Sequence, residues 1–148
     1  MQSNEARPMT GGCACRAVRY RIAGEPVMSL NCHCRDCQRA SGSAYGPFMI
    51  VWKDDLEIDS DQLSTYSRLS EAGNDVERRF CRCCGSPVIN YLPGRPKLVF
   101  VHAASLDEPQ AYKPEMDIWT GSASHWDTMD AELVNCDGSP PVPDDFGR

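Results

Sequence analysis

Three closely spaced cysteines between residues 31 and 43 place the strongest constraint on what this chain can fold into. In the segment NCHCRDCQRASGS, the thiols of Cys32, Cys34 and Cys37 fall within six residues. Thiolates are the soft ligands that zinc prefers, and short spacings are typical because ligands about 2.3 Å from one ion must come from a tight turn. A structural zinc site normally takes four protein ligands, whereas a catalytic site takes three and leaves one position for water or substrate. The spacing therefore predicts a zinc site with one open position.

Two further cysteine pairs, Cys13-x-Cys15 and Cys81-x-x-Cys84, together supply four thiols. Gly85 follows the second pair, and a glycine suits a zinc knuckle because a positive φ lets backbone N–H groups turn toward the sulfurs. Four ligands predict a structural zinc ion, which would close a loop of roughly seventy residues and constrain the unfolded chain. The alternative is that these are unligated cysteines of the core.

Three residues beside these motifs leave alternatives open. Cys83 could replace Cys81 or Cys84 as a ligand, although the commoner Cys-x-x-Cys-Gly frame favours the latter two. His33 could close the three-cysteine site as a structural fourth ligand. Because it stands between two ligands, its ring is expected to point away from their ion, either supporting the site or facing a substrate, or else to be exposed. Cys136 is expected to be a buried small residue or a spare thiol.

Length, composition and charge restrict the class of protein. A chain of 148 residues with 41% hydrophobic and 24% charged residues fits one globular domain. The formal net charge is −6, and seven thiolates (−7) holding two zinc ions (+4) would make it −9. The densest basic group, Arg78, Arg79 and Arg82, stands beside cysteines and forms no stripe, so the chain is not expected to bind nucleic acid.

The number of cysteines also indicates the cellular compartment in which the protein is expected. The N-terminal segment has no apolar run resembling a signal peptide, and nowhere do 18 consecutive apolar residues occur. Nine cysteines without an export signal argue for metal binding and against a disulfide framework. The chain is therefore expected to be cytoplasmic, with no membrane partner, and its oligomeric state stays open.

Short runs of apolar or alternating residues, separated by glycine and proline, predict an all-β, mostly antiparallel domain. Residues 17–22 and 27–31 are expected to form a hairpin that brings Cys13 and Cys15 near one end of a sheet. Residues 44–52 are strongly apolar, and their proline suits a sheet edge or a bulge. Further strands are expected at residues 56–58, 63–69, 76–80, 87–92, 98–102 and 117–120.

Little helix is expected, and the ends of the chain are expected to lie outside the domain. Residues 38–41 could make one helical turn before Gly42 stops it. Residues 1–10 are interpreted as a flexible lead-in, residues 11–136 as the zinc-binding domain and residues 137–148 as a proline-rich tail.

The ordered motifs GGCACRAVRY, NCHCRDCQRASGS and FCRCCGSPV resemble the family of glutathione-dependent formaldehyde-activating enzymes, whose domain is shared with the vertebrate centromere protein V. The resemblance covers roughly residues 11–126 and implies a tent-like arrangement of antiparallel sheets with two zinc ions per chain. Its first and third motifs would bind a structural zinc and its middle motif a catalytic zinc. Position by position this implies Cys13, Cys15, Cys81 and Cys84 for the structural ion, and Cys32, Cys34 and Cys37 for the catalytic ion.

The sequence departs from the family pattern at two positions. Arg16 replaces the glycine that usually follows the first motif, and Cys83 adds a sulfur to the third. Arg16 would alter the backbone or the charge beside the structural ion without removing a ligand.

The resemblance further implies a carbon–sulfur lyase similar to S-(hydroxymethyl)glutathione synthase, with a thiol such as glutathione and a small aldehyde such as formaldehyde as partners. Arg35 and Arg39 could anchor the two carboxylates of glutathione or remain solvated. The three tryptophans could line a pocket or belong to the core or its rim; they are Trp52, Trp119 and Trp126. Two other interpretations stay open: a non-enzymatic zinc-binding or protein-interaction module, and a zinc enzyme of the same family acting on a different substrate.

Overall fold

The computed structural model describes residues 7–140 and residue 146, and this part of the chain contains eleven strands and one α-helix. The strands are β1 (Met9–Gly12), β2 (Arg19–Ile22), β3 (Met28–Cys32), β4 (Gly46–Trp52), β5 (Leu56–Ile58), β6 (Leu63–Leu69), β7 (Asp75–Cys81), β8 (Pro87–Tyr91), β9 (Leu98–His102), β10 (Met116–Ile118) and β11 (Val134–Cys136). The helix α1 (Arg35–Ser41) contains the predicted helical turn and ends at Gly42, whose φ is 68°. The predicted all-β class is confirmed.

The strands form two sheets. One sheet has three antiparallel strands in the order β1-β2-β5, and the other has eight in the order β11-β10-β3-β4-β9-β8-β7-β6. Pairing in the large sheet is antiparallel except at β10, which runs parallel to both β3 and β11. The mostly antiparallel arrangement therefore agrees with the sequence pattern.

Strand β4 explains how the large sheet separates two hydrophobic clusters. Met49 and Val51 pack into the cluster shared with the small sheet, whereas Phe48 and Ile50 pack into a second cluster on the opposite face. Since successive side chains of a strand point to opposite faces, a strand covered on both faces is apolar at every position. That burial accounts for the uninterrupted apolar run of this segment.

Two details of the predicted pairing are wrong. Strands β2 and β3 lie in different sheets; the hairpin next to Cys13 is formed instead by β1 and β2, with Gly12 opposite Arg19. Strand β4 is an interior strand and not an edge. Pro47 is tolerated there because pairing with β9 begins only at Phe48, so its missing N–H falls beyond that ladder.

The predicted boundaries of the domain agree with the structure only in part. Strand β1 begins at Met9, inside the range assigned to the lead-in, and β11 (Val134–Cys136) was not predicted. Residues 1–6, 141–145 and 147–148 of the lead-in and the tail lie outside the described residues. Within the described part, no helix is long and apolar enough to cross a membrane.

Arg16 adopts the left-handed backbone conformation, with φ of 67°. It closes a turn in which its N–H donates to the carbonyl of Cys13 at 3.2 Å. A residue with a β-carbon is strained at such a φ, and glycine is not. The position therefore needs the backbone freedom of the glycine that Arg16 replaces.

We expect Arg16→Gly to stabilise the fold by about 1 kcal/mol, because the left-handed conformation costs other residues roughly 1–2 kcal/mol. The melting temperature in zinc-containing buffer should rise by about 3 °C for a chain of this size. Arg16→Ala is the matched control, since it removes the same charge and keeps the strain. An equal gain in both variants would assign the effect to charge and contradict the backbone explanation.

His102 is a buried titratable group at the end of β9. Its ring packs edge-on against Phe48 at a centroid distance of 4.7 Å, and its Nε2 lies 3.4 Å from the side-chain amide of Asn90. Burial, followed by the charge of Arg78, lowers the pKa of His102 from 6.5 to about 4. Protonation is therefore more favourable in the unfolded chain, and the stability present above pH 6.5 is lost as the pH falls toward 4.

Lowering the pH from 7.5 to 5 should cost about 2 kcal/mol of unfolding free energy through His102 alone. His102→Gln should lose that part of the pH dependence, whereas His125→Gln, which replaces an exposed histidine, should keep it. Urea unfolding of the three proteins at both pH values measures the difference. Identical pH dependence in His102→Gln and the parent would contradict the burial of a neutral ring.

Candidate metal centres

Four thiols meet where the small sheet approaches the end of β7. The Sγ atoms of Cys13, Cys15, Cys81 and Cys84 all lie within 4.8 Å of one another. Cys15 Sγ lies 3.6 Å from that of Cys13 and 3.7 Å from that of Cys81. Cys13 and Cys81 are buried, and the other two are exposed. The fold thus brings together two pairs that are far apart in the sequence.

Backbone and hydroxyl donors surround these sulfurs. The N–H of Val18 donates to Cys13 Sγ at 3.2 Å, and the N–H of Cys83 to Cys81 Sγ at 3.4 Å. Gly85 has φ of 77°, which confirms the expected left-handed turn. Hydrogen bonding from Ser86 lowers the pKa of Cys84 to about 5. The donors from Ser86 therefore favour the thiolate form of Cys84, which is the form that binds a metal.

Cys83 is exposed and stands outside the four-thiol group. Its Sγ lies 3.7 Å from Oε1 of Gln62, on the segment before β6. The geometry therefore favours Cys81 and Cys84 as the pair of the third motif. Cys136, at the end of β11, is partly buried and belongs to neither group.

Three further thiols meet where β3 passes into α1. Cys32 ends β3, Cys34 caps the helix and Cys37 lies in its first turn, where its N–H donates to Cys34 Sγ at 3.3 Å. Their Sγ atoms lie within 4.8 Å of one another. Gly46 faces Cys32 across the β3–β4 ladder, and a β-carbon there would come within 2.6 Å of the Phe48 ring and 3.3 Å of Cys37 Cβ. The glycine keeps space clear beside the thiols.

A cation lies beside this three-thiol group. Arg78 reaches across from β7, and its guanidinium donates to Cys37 Sγ at 3.8 Å. No carboxylate of the described residues forms an ion pair with Arg78. With the Asn90 amide oriented to satisfy both of its groups, its oxygen accepts from Arg78 Nη1 at 3.3 Å. Hydrogen bonds from Cys32 and Cys37, aided by the charge of Arg78, lower the pKa of Cys34. Cys34 is thus the thiol of this group that favours its thiolate form, whereas hydrogen bonding to Cys34 raises the pKa of Cys32.

The ring of His33, between Cys32 and Cys34 in the sequence, is buried, so the alternative of an exposed histidine is wrong. Its Nε2 lies 2.8 Å from Asp117 Oδ1, and its Nδ1 lies 3.3 Å from Asp127 Oδ2. Asn31 donates to the same oxygen of Asp117 at 3.2 Å, and Gln38 donates to the carbonyl of His33 at 2.7 Å. Nε2 is therefore hydrogen-bonded to Asp117, whereas Nδ1 faces Asp127 Oδ2 without a hydrogen bond between them.

A cavity of about 180 Å³ opens onto the three thiols. Its walls are mostly apolar and come from the second hydrophobic cluster of the large sheet. They include Leu30, Phe48, Ile50, Phe100, Ile118 and Trp119. Among its polar lining residues are Asp36, Arg78 and Arg95.

Of the two alternatives for Arg35 and Arg39, a solvated position agrees with the structure. Arg35 and Arg39 are exposed on α1 and do not line the cavity, whereas Arg78 and Arg95 do. The buried residues of α1 are Cys37 and Gln38, so both arginines lie on the exposed side of the helix. Neither Arg78 nor the partners of His33 were predicted, because alternation along a strand assigns side chains to two faces without saying which face meets the thiols.

The tryptophans divide among the expected roles. Trp119 lines the cavity, and its backbone has φ of 56°. The backbone N–H of Trp119 donates to the carbonyl of Gly138 at 3.1 Å. Trp52 packs against the second hydrophobic cluster and the ring of Phe146. Trp126 is exposed. Only one of the three is thus placed beside the thiols.

The residues present fit metal ions by their donor chemistry. Groups of four and of three soft sulfur ligands, each supported by hydrogen-bond donors, suit zinc better than hard oxygen-seeking cations. Within residues 7–140 and 146, no histidine, carboxylate or further cysteine joins the three-thiol group as a fourth ligand. The four-thiol group therefore offers a complete set of four ligands, whereas the three-thiol group would leave one coordination position open.

Comparisons with known proteins agree with this arrangement. The crystal structure of a Rhodobacter sphaeroides protein, a structural genomics target, is similar to this chain with a TM-score of 0.54 and 23% identity, over 67% of this chain and 88% of that chain. This likeness concerns the fold. No curated protein gives a significant match.

A family model described as glutathione-dependent formaldehyde-activating enzyme matches residues 8–122. The matched range covers most of the chain and contains both thiol groups, the helix between β3 and β4, and nearly all of the cavity wall. The chain therefore belongs to the glutathione-dependent formaldehyde-activating enzyme family.

Proposed function

We propose that this protein is a zinc-dependent enzyme that adds a thiol, glutathione or a similar one, to a small aldehyde such as formaldehyde, or catalyses the reverse cleavage. The observation that carries the proposal is a group of three thiols with no fourth ligand among the described residues, at one end of a cavity. Family membership supports the same chemistry. The enzyme would act as a carbon–sulfur lyase.

The four-thiol group would hold a structural zinc. Cys13 follows β1 of the small sheet and Cys81 ends β7 of the large sheet, so one ion would tie both sheets together. Such a site can contribute on the order of 10 kcal/mol to folding, since no preformed site exists in the unfolded chain. Its ligands would be Cys13, Cys15, Cys81 and Cys84.

The three-thiol group would hold the catalytic zinc through Cys32, Cys34 and Cys37. Zinc with three thiolate ligands would supply one open position that accepts a soft thiolate and favours its deprotonated form at neutral pH. The hydrogen bonds that join the His33 ring to Asp117 and the His33 carbonyl to Gln38 would fix the backbone between Cys32 and Cys34. An enzyme of this kind needs its ligands held in place before the substrate arrives.

The reaction is an addition without oxidation or reduction. The thiol sulfur forms a bond to the carbonyl carbon, the second carbon–oxygen bond opens, and the proton of the thiol ends on the oxygen. Negative charge moves from sulfur to oxygen on the way, and Arg78 lies beside the thiols with no carboxylate partner among the described residues. Its guanidinium would stabilise charge at both stages.

Replacing a ligand of the structural ion should unfold the protein, because the two sheets lose their common tie. Cys81→Ser is expected to lose one equivalent of zinc and several kcal/mol of stability, since structural zinc can contribute on the order of 10 kcal/mol. Cys83→Ser is the matched control two residues away and should change neither. Zinc content by mass spectrometry and the melting temperature measure both. A loss of zinc in Cys83→Ser would show that Cys83 is itself a ligand of the structural ion.

Replacing a ligand of the catalytic ion should separate activity from stability. Cys34→Ser is expected to lose the other equivalent of zinc and all thiol-dependent turnover of formaldehyde, with little change in melting temperature. Cys136→Ser, outside both groups, should keep all three properties. Full activity in Cys34→Ser would contradict the proposed role of the three-thiol group.

Binding of the thiol can be tested by spectroscopy. With cobalt in place of zinc, titration of glutathione into the parent protein should strengthen the sulfur-to-metal charge-transfer absorption as a fourth sulfur arrives. S-methylglutathione, whose sulfur cannot ionise, is the control ligand and should leave the spectrum unchanged. An unchanged spectrum with millimolar glutathione, when cobalt is known to occupy the three-thiol site, would contradict glutathione as the thiol.

A further inference from the structure

The walls of the cavity are richer in apolar side chains than a one-carbon aldehyde requires. Phe48, Ile50 and Ile118 belong to the second hydrophobic cluster and also line the space that opens onto the thiols. Formaldehyde is small and well hydrated, and it would leave most of a cavity of about 180 Å³ filled with water against apolar surface. These walls favour a ligand that covers them.

The volume indicates the size of that ligand. An engineered apolar cavity of about 150 Å³ takes up benzene, so a space of about 180 Å³ suits one six-membered ring or an alkyl chain of similar size. A whole glutathione molecule does not match this space. The tripeptide is much larger than one ring, and the part of it placed against the apolar side chains would lose water without gaining hydrogen bonds there, which is costly.

The positions of thiols and arginine orient the ligand. Cys32, Cys34 and Cys37 line the same cavity as the apolar walls, and Arg78 lines it while donating to Cys37 Sγ at 3.8 Å. A reacting carbonyl placed by the sulfurs and Arg78 would leave its substituent directed among the apolar side chains. The thiol partner, being polar, would extend from the sulfurs toward solvent.

We infer that the preferred electrophile of this protein is an aldehyde that carries an apolar substituent of about the size of a phenyl ring, received by the cavity of Phe48, Ile50, Phe100 and Ile118. This inference rests on the proposed function and narrows its substrate class. The step remains the same balanced addition: the carbon–sulfur bond forms, the carbon–oxygen double bond becomes single, and the thiol proton goes to the oxygen.

The first test compares phenylacetaldehyde with acetaldehyde, which differ only by the ring. With the zinc-loaded protein and a fixed thiol, kcat/KM divided by the uncatalysed rate should be at least about tenfold higher for phenylacetaldehyde, since even one methylene in an apolar pocket is worth about tenfold or more. An equal or lower value for phenylacetaldehyde would overturn the inference.

The second test measures binding without turnover. 2-Phenylethanol has the same ring and cannot react with a thiol, and ethanol is its reference. Calorimetry on the zinc-loaded protein should show at least about tenfold tighter binding of 2-phenylethanol, and the methyl signals of Ile50 and Ile118 should shift in NMR spectra. Equal affinities, or shifts confined to other residues, would overturn the inference.

A pair of variants locates the effect. Val76 is half-buried on β7 and lines the cavity, so Val76→Phe places a second ring in the space proposed for the ligand. The variant should bind 2-phenylethanol at least about tenfold more weakly, because even one methylene of contact in an apolar pocket is worth about tenfold. Val134→Phe makes the same change at an exposed position of β11 that does not line the cavity, and it should keep the parent affinity. Equal effects of the two variants would overturn the inference.

The outcomes also separate the two levels of the proposal. If no aldehyde is turned over with any thiol while 2-phenylethanol binds and Val76→Phe blocks it, the proposed reaction is wrong and the ligand class of the cavity is supported. If formaldehyde and acetaldehyde are turned over and the ring gives no advantage, the reaction is supported and the inference is wrong.

Discussion

Mutual repulsion between crowded sulfur atoms is the main electrostatic problem that this fold has to solve. Seven thiols lie in two groups, and within each the Sγ atoms are within 4.8 Å of one another. One thiolate makes the next harder to form: hydrogen bonding to Cys34 raises the pKa of Cys32. The fold offers partial compensation through backbone N–H groups and Arg78. A bound dication would favour every thiolate at once, so metal binding would account for the close packing of these sulfurs.

The four-thiol group and the three-thiol group have the same kind of ligand but different surroundings in the fold. The four-thiol group lies between the sheets, and its ligands come from two turns with left-handed residues at Arg16 and Gly85. The three-thiol group comes from one continuous segment that β3 and α1 hold in place. Its sulfurs line a cavity, whereas those of the four-thiol group do not line that cavity. A closed set ties elements together, and an open one leaves room for chemistry.

Much of the fold and both thiol groups could be predicted, because cysteine spacing and the alternation of strands are local signals. The β9 strand matches its predicted bounds, and Gly85 has the expected conformation. Pairing between strands that are distant in the sequence carries no such signal. For this reason the sequence favours a hairpin of β2 with β3, and Pro47 at an edge or a bulge, and the structure has neither. The surroundings of His33 depend on Asp117 and Asp127, more than eighty residues away, so an exposed ring fitted the sequence equally well.

Strand β7 couples the two groups. Cys81, at its end, belongs to the four-thiol group, whereas Val76 and Arg78 line the cavity beside the three thiols. Positions 78 and 81 differ by an odd number, so their side chains leave opposite faces of the strand. The pairing of β7 with β6 runs without a shift from Cys81 to Asp75, so fixing the sulfur of Cys81 on one face also fixes the position from which Arg78 reaches Cys37 on the other. The structural group would serve the chemistry in this way without touching a substrate, because a strand anchored at its end cannot slip without turning Arg78 away.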